Sequence, residues 1–237
     1  MIDPAVRGHP DSGGLFNGVD TLLVSVFRPL LMAEKELNPA TMWDERFGRP
    51  EPVYGHEPNI YLREQSHRLD DGARVLVPAD GYGRNGLWLA KQGFDVTTVD
   101  VSPVGVDRAR KAAEDSRVVS KILLADLNFW QWPLGEFDAV ASIYLHLPPE
   151  QRPQIHAHMI TALRPRGIVI LEAFTPGQLR FSSGGPKQVE LLYTAGLLRR
   201  DFAATEVLEL MECEVELNEG KMHSGQAAVV RAVFRKK

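Results

Sequence analysis

Beyond residue 73 the chain alternates short β-branched runs with stretches of helical spacing. The run Ala73-Arg74-Val75-Leu76-Val77-Pro78 predicts a buried strand, and residues 85–92 predict a helix closed by Gly93 in a left-handed cap. Residues 95–100 predict a second strand. Ser102 and Pro103 then supply an N-cap and a proline at the first helical position, opening a helix to about Ala113. A third strand is expected over 118–124, a fourth over 137–144, a helix over 149–163 and a fifth strand over 167–173. Strands separated by crossover helices imply a mostly parallel sheet with helices on both faces. After Pro176 the pattern changes. A helix over 186–195 leads to two long segments, 204–217 and 226–235, with Asn218-Glu219-Gly220 as the turn between them. Strands joined directly by a turn must be antiparallel. The expected fold class is therefore α/β: a Rossmann-like doubly wound sheet of five parallel strands finished by a C-terminal antiparallel hairpin.

The first forty residues read differently. Residues 8–14 are loop-like, and 20–36 have the spacing of one modest amphipathic helix. Residues 1–40 are expected to be an extension, partly helical or disordered, and 41–237 the functional domain; Met42 is an alternative start. A chain of 237 residues suits one large domain or a domain with an appendage. Lys and Arg number 27 against 31 Asp and Glu, a net charge of -4 that argues against a nucleic-acid surface. The one cysteine, Cys213, excludes an intramolecular disulfide and a cysteine-cluster zinc site. No run approaches the ~20 apolar residues that span a bilayer. Asp3 and Asp20 stand where a secretory signal would carry positive charge. The expectation is a cytoplasmic protein, monomer or homodimer, with neither membrane nor nucleic-acid partner.

Candidate chemistry gathers at the expected strand ends. Asp80-Gly81-Tyr82-Gly83-Arg84-Asn85-Gly86 joins the first strand to the first helix. Gly81 and Gly83 let the backbone turn sharply and a ligand approach without an intervening Cβ, and Gly81, Gly83 and Gly86 together match the dinucleotide fingerprint. Asp100 ends the second strand, where a carboxylate can accept both hydroxyls of a ribose; the alternative is a cap of the next helix, a part that Ser102 already supplies. Asp126 follows the third strand, placed to meet the edge of an adenine with Leu127 or Phe129 against its face. A nicotinamide enzyme accounts for the first two features and does not require the third.

With these residues the chain resembles the class I S-adenosylmethionine-dependent methyltransferases, which have a seven-stranded fold. The resemblance runs from about Trp43 to Phe234 and rests on residues 75–85, 99–103, Asp126-Leu127, 137–140 and 163–167. Trp43-Asp44-Glu45-Arg46-Phe47, Tyr54-Gly55-His56-Glu57-Pro58-Asn59 and Gly83-Arg84-Asn85 make it similar to the small-molecule branch, which includes tellurite-resistance and thiopurine-type methyltransferases. The resemblance implies S-adenosylmethionine as cofactor and a small-molecule methyl acceptor as partner. It implies that Gly81 and Gly83 line the methionine moiety, Asp100 holds the ribose, Asp126 meets the adenine and Tyr144 floors the crevice. Asp80, Tyr82, Asn85, Val101, Ser102 and Leu127 complete the expected cofactor set. The family often carries an acid where Val77 stands and glycine where Ala79 stands; Asp80 is the substitute for the missing acid.

Methyl transfer from a sulfonium needs alignment of acceptor, methyl and leaving sulfur. A general base matters only where the acceptor must lose a proton. Candidates for handling the acceptor are His146, Tyr144 and His56, with Tyr54 and, more remotely, His223. Trp130 and Trp132 are read either as core or as walls of an apolar pocket. The Gly- and Ser-rich segment 175–188 has the composition of a mobile flap, with Arg180 and Lys187 as anion-attracting charges. Cys213, between Glu212 and Glu214, has no nucleophilic part. No metal site is expected, because His156 and His158 are two apart on a helix and diverge. The same glycines leave an NAD-dependent oxidoreductase open, and the changes at Val77 and Ala79 leave open a non-catalytic cofactor-binding sensor or scaffold.

Overall fold

The structure is a computed structural model that describes residues 39–237. The helix expected over 20–36 lies outside the described residues. Helix α1 (Pro39–Phe47) and the short α2 (Ile60–Gln65) precede the sheet. Then follow β1 (Arg74–Pro78), α3 (Arg84–Lys91), β2 (Asp95–Asp100), α4 (Pro103–Ser116), β3 (Lys121–Leu124) and β4 (Phe137–Ile143). The chain ends with α5 (Arg152–Ala162), β5 (Leu163–Phe174), α6 (Ala195–Asp201), β6 (Thr205–Asn218) and β7 (Ser224–Lys236).

The seven strands form one sheet in the order β3-β2-β1-β4-β5-β7-β6. β1 to β5 pair in parallel, and β7 pairs antiparallel with both β5 and β6. Strand order reverses between β1 and β4, the position at which open α/β sheets leave a crevice beyond their carboxyl ends. The hairpin turn falls at that same end, because β7 starts where β5 finishes.

Alternation divides the core between the two faces of the sheet. Val75 and Val77 of β1 pack with Tyr61, Leu62, Leu89 and Ile170 under α2 and α3. Leu76 points the other way, into a larger cluster with Ile155, Met159, Phe202 and Phe234 under α5 and α6. Gly86 in the first turn of α3 is required by close packing: a Cβ there would lie 2.3 Å from Thr98 Cγ2 on β2 and 2.6 Å from Asp80 Oδ2. This is the helix-to-strand role of a third glycine in the fingerprint.

Three boundaries depart from expectation. β5 begins at Leu163 rather than at 167, because Leu163 already pairs with Phe137 ahead of an irregularity in the β4–β5 register. Residues 118–120 are not strand, because Arg117 closes α4 in a left-handed cap (φ 55°) and Val118 N–H still donates to Ala113 O. Nor is there a helix over 186–195; that stretch holds one 3₁₀ turn, Val189–Leu191, and an extended Leu192-Tyr193. Tyr193 N–H bonds Phe174 O at the end of β5, so the backbone is committed to the sheet until Thr194 caps α6 through Leu197 N–H.

Candidate functional site

The turn after β1 is built by one carboxylate on each side. Asp80 is buried, with Oδ2 accepting from Gly86 N–H at 2.9 Å and Oδ1 from Asn85 N–H at 3.3 Å. It caps α3, so the substitute for the acid missing at Val77 has both oxygens on helix amides. Val77 itself is sealed in the core at 1% exposure. Ala79, where the family often has glycine, still takes a left-handed conformation (φ 56°), as do Gly81 (φ 58°) and Gly83 (φ 87°).

Burial pushes the Asp80 carboxyl up to about 7, against the pull of the Gly86 amide and Arg84. A carboxyl raised in the folded state holds its proton at pH values where the unfolded chain has lost it. Its contribution is complete below the unfolded value near 3.8 and is lost as pH rises through about 7. Wild type compared with Asp80→Asn should therefore be relatively most stable at pH 5, with the difference shrinking toward pH 8. Urea midpoints of both proteins at the two pH values check this; a constant difference contradicts it.

Asp100, at the tip of β2, is buried and holds the other side of the turn. Its Oδ2 accepts from Gly81 N–H at 2.7 Å and its Oδ1 from Ser102 N–H at 2.8 Å. Ser102 caps α4 through Gly105 N–H at 3.0 Å, so ribose ligand and helix cap are not competing roles for Asp100. Ser102 Oγ also donates to Asp44 Oδ1, which accepts from Val104 N–H as well, so α1 is fastened to the start of α4. Val101 lies between the two, half-buried. At the tip of β3, Asp126 Oδ1 accepts from the backbone and side-chain amides of Asn128, and Leu127 is buried beside it. Trp132 donates to Leu127 O and belongs to the main core, while Phe129 is 85% exposed.

The segment before α2 crosses the same end of the sheet. Tyr82 Oη accepts from Tyr54 N–H at 3.0 Å and donates to Gly55 O at 2.9 Å. Asn85 Oδ1 accepts from Asn59 N–H at 2.9 Å. Tyr82 and Asn85 thus hold chain segments in place. Phe47 is missing from the sequence-based set: a Cβ on Gly81 would lie 2.6 Å from its ring, and one on Gly105 2.8 Å. The bare face of Gly81 accommodates an aromatic ring of this chain, and a ligand must meet the loop on another side.

Tyr144 follows β4 in a strained left-handed conformation (φ 52°). Such strain in a non-glycine residue persists only where neighbours over-determine it. Here Tyr144 Oη donates to Glu172 Oε1 at 2.7 Å and the ring stacks on Phe174 at 4.6 Å. Burial first, then the charges of Glu172 and Glu219, push this phenol well above its usual value, so it is a hydrogen-bond donor rather than a base. Glu172, 1% exposed, also accepts from Asn59 Nδ2 at 2.7 Å and from Arg231 Nε, its cross-strand partner on β7. Asn59 Nδ2 is shared with Glu219, which in turn pairs with Arg84 at 2.8 Å. Neither Glu172 nor Arg231 was singled out from the sequence. Their signal is legible: each is the only charge in an apolar run, Ile168 to Phe174 and Ala227 to Phe234.

One acceptor candidate is corrected, and a second is placed. His146 spends both ring nitrogens on backbone, Nδ1 with Leu191 O at 2.7 Å and Nε2 with Phe174 N–H at 3.2 Å. Since Phe174 N–H can only donate, Nε2 is the acceptor and Nδ1 carries the proton. Burial pushes this imidazole down to about 4. It fastens the 189–191 turn to β5. His56 is exposed and lines a cavity of about 380 Å³ in the groove between α3 and α4, with Trp88, Lys91 and Arg108. The expected flap is also tied down: Gln178 donates to Ser183 Oγ and Gly184 O and accepts from Ala228 N–H, and Arg180 pairs with Glu214.

A family model described as a methyltransferase domain matches residues 75–167. A thiopurine S-methyltransferase of Gluconobacter oxydans is 40% identical over 73 residues, 29% of this chain and 33% of that protein. A thiopurine S-methyltransferase of Nitrosospira multiformis is 30% identical over 182 residues, 64% of this chain and 79% of that protein. The chain belongs to the class I S-adenosylmethionine-dependent methyltransferases. The fold of this methyltransferase matches a solved structure concerned with the conversion of a disulfide bond into a thioacetal group during echinomycin biosynthesis. The TM-score is 0.68 at 19% identity, covering 84% of this chain and 89% of the other. The first relatives are matched over part of their length, a third of the Gluconobacter protein among them.

Proposed function

We propose that this protein transfers the methyl group of S-adenosylmethionine to a small-molecule acceptor by in-line displacement, with residues 41–237 as the transferase domain. The observation that carries the reading is Asp100. A carboxylate offers about four lone-pair positions, and the Gly81 and Ser102 amides use two. The Val101 amide also bears on this carboxylate, and the acceptor capacity left, at the tip of β2 beside the reversal of strand order, fits the hydroxyls of a ribose. This acceptor suits a nucleoside, and the residues fit the cofactor of the family.

In this reading Gly81 and Gly83 give the loop its shape, and their neighbours Asp80, Tyr82 and Asn85 hold it in place. Asp126, Val101, Ser102 and Leu127 border the adenine. The cofactor supplies a methyl group already activated by a cationic sulfur. The chain positions and excludes water: Tyr144 closes the floor, and segment 53–59 covers the end of the sheet. Well-oriented reactants gain up to roughly 7–11 kcal/mol from alignment alone.

No helix among the described residues is long and apolar enough to cross a membrane. The net charge of -4 supports a small-molecule acceptor rather than nucleic acid, and the lone cysteine fits a reducing compartment such as the cytoplasm. A panel of thiols, tellurium and selenium oxyanions, amines and hydroxyl compounds, assayed for release of S-adenosylhomocysteine, tests the activity. Turnover of one class is expected. Failure of every class by a protein that binds S-adenosylhomocysteine would leave the cofactor-binding scaffold instead.

A further inference from the structure

We propose that His223 is the general base of this site: its imidazole, oriented by Glu219, takes the proton that a small thiol acceptor loses on methylation. The proposal rests on the methyl-transfer reading and deepens it. His223 stands at the start of β7, beyond the hairpin turn, so the antiparallel hairpin delivers it to the end of the sheet where β4 and β5 finish. Its ring lies 4.6 Å from Tyr144, 4.6 Å from Tyr54 and 5.5 Å from Phe174. These contacts put an imidazole beside the floor of the crevice.

His223 is 5% exposed, and its Nδ1 is buried without a hydrogen-bond partner, 3.6 Å from Glu219 Oε2. A buried ring nitrogen left in this way is costly unless it is drawn into a bond, and a small closure of the turn makes it a donor to Glu219. The carboxylate cannot swing away. Arg84 grips it at 2.8 Å, Asn59 at 3.0 Å, and Ile60 N–H reaches it at 3.4 Å. With Nδ1–H turned to Glu219, the lone pair stays on Nε2, the arrangement in which a carboxylate orients a basic imidazole. His146, by contrast, has both nitrogens committed to backbone.

The loop over the ring is fitted to it. Gly184 (φ 122°) packs on the Cδ2–Nε2 edge, where a Cβ would come within 2.7 Å of Cδ2 and 2.4 Å of Met222 O. The charged and titratable groups around the imidazole are Glu219 on its own turn, Arg84 from α3, Tyr54 from the covering segment, Tyr144 from β4 and, beyond Phe174, His146. Burial pulls the imidazole below its usual value, the Glu219 bond opposes this and Arg84 adds to it, so His223 is unprotonated at neutral pH.

The proton balance is simple. The acceptor sulfur forms its bond to the methyl carbon, the electron pair of the broken carbon–sulfur bond stays on the departing sulfur, and the acceptor's proton passes to Nε2 and then to water. Glu219 offsets the imidazolium charge meanwhile. Bases of this kind contribute about 10²–10⁴-fold, and only for acceptors that arrive protonated.

Nitrogen-15 NMR of histidine-labelled full-length protein at pH 8, with S-adenosylhomocysteine, is the direct test. His223 is expected as the Nδ1–H tautomer; a proton on Nε2 overturns the proposal whichever acceptor the enzyme uses. In turnover, His223→Gln should slow methylation of 2-mercaptoethanol about 10²–10⁴-fold and leave 5-thio-2-nitrobenzoate, already ionised, unchanged. Equal losses with both thiols would give His223 a structural part and contradict the proposal. Failure of wild-type protein to bind S-adenosylhomocysteine in calorimetry would remove the methyl-transfer reading itself.

Discussion

Replacing Glu172 with alanine is expected to destabilise the folded protein by about 3–5 kcal/mol, the cost of removing one partner from a buried pair. The side chain of Glu172 is fully enclosed, and Arg231 opposite it retains 18% exposure. Loss of the carboxylate would strand that guanidinium, the Tyr144 hydroxyl and the Asn59 amide together. It would also release the bond that helps hold Tyr144 in its left-handed conformation. In a domain of this size each kcal/mol moves Tm by roughly 2–4 °C, so a fall of roughly 6–20 °C is expected by calorimetry. A double replacement, Glu172→Met with Arg231→Met, should recover part of the loss, since a buried pair can often be exchanged for apolar side chains at little cost. A fall below about 1 kcal/mol for Glu172→Ala, the range of exposed pairs, would mean that the network is a surface feature and not a keystone of the site.

The second large effect is at Asp100. Asp100→Ala should weaken S-adenosylhomocysteine binding by about 1–3 kcal/mol, roughly 5- to 150-fold, the scale for leaving polar groups unpaired. Two contributions add here. The hydroxyls of the sugar lose an acceptor, and the Gly81 amide loses the oxygen that fixes the loop. Asp100→Asn separates them only partly. An amide side chain has one acceptor and one donor end, so it cannot accept from both Gly81 and Ser102. Its donor end must face one of two N–H groups. Asparagine should therefore bind the ligand poorly as well, with less loss of stability than alanine. Titration calorimetry and urea unfolding on the two variants check both halves. An unchanged dissociation constant for Asp100→Ala would remove the ribose role.

The strand and helix pattern was readable because each parallel strand is an apolar run bounded by polar turns, as in Arg74–Pro78 and Asp95–Asp100. Ser102 and Pro103 marked the start of α4 for local reasons that tertiary structure did not override. The failure at 186–195 has the opposite cause. Tyr193 is held by β5, a long-range bond that local spacing cannot encode, and the helix opens only at Ala195, behind the Thr194 cap.

At the site, the sequence identified which turns carry polar groups but not what each group faces. Asp80 and Asp100 differ by their partners, one serving the helix amides of α3 and the other both the glycine loop and α4. His146 looked well placed at the end of β4, yet backbone atoms from two distant segments consume it. Phe47 covers Gly81 from 34 positions away along the chain, a contact that only the docking of α1 on α4 creates. Glu172 and Arg231 are opposite in register across β5 and β7, so a lone charge in each of two neighbouring apolar strands was the available clue.

The parts assigned to Asp100, Asp126 and Tyr144 depend on a nucleoside lying across the tips of the parallel strands. Titration calorimetry of the wild-type protein with S-adenosylhomocysteine measures that directly. The account predicts saturable one-to-one binding that Asp100→Ala weakens. Absence of heat at high micromolar ligand, from protein that unfolds cooperatively, would contradict it.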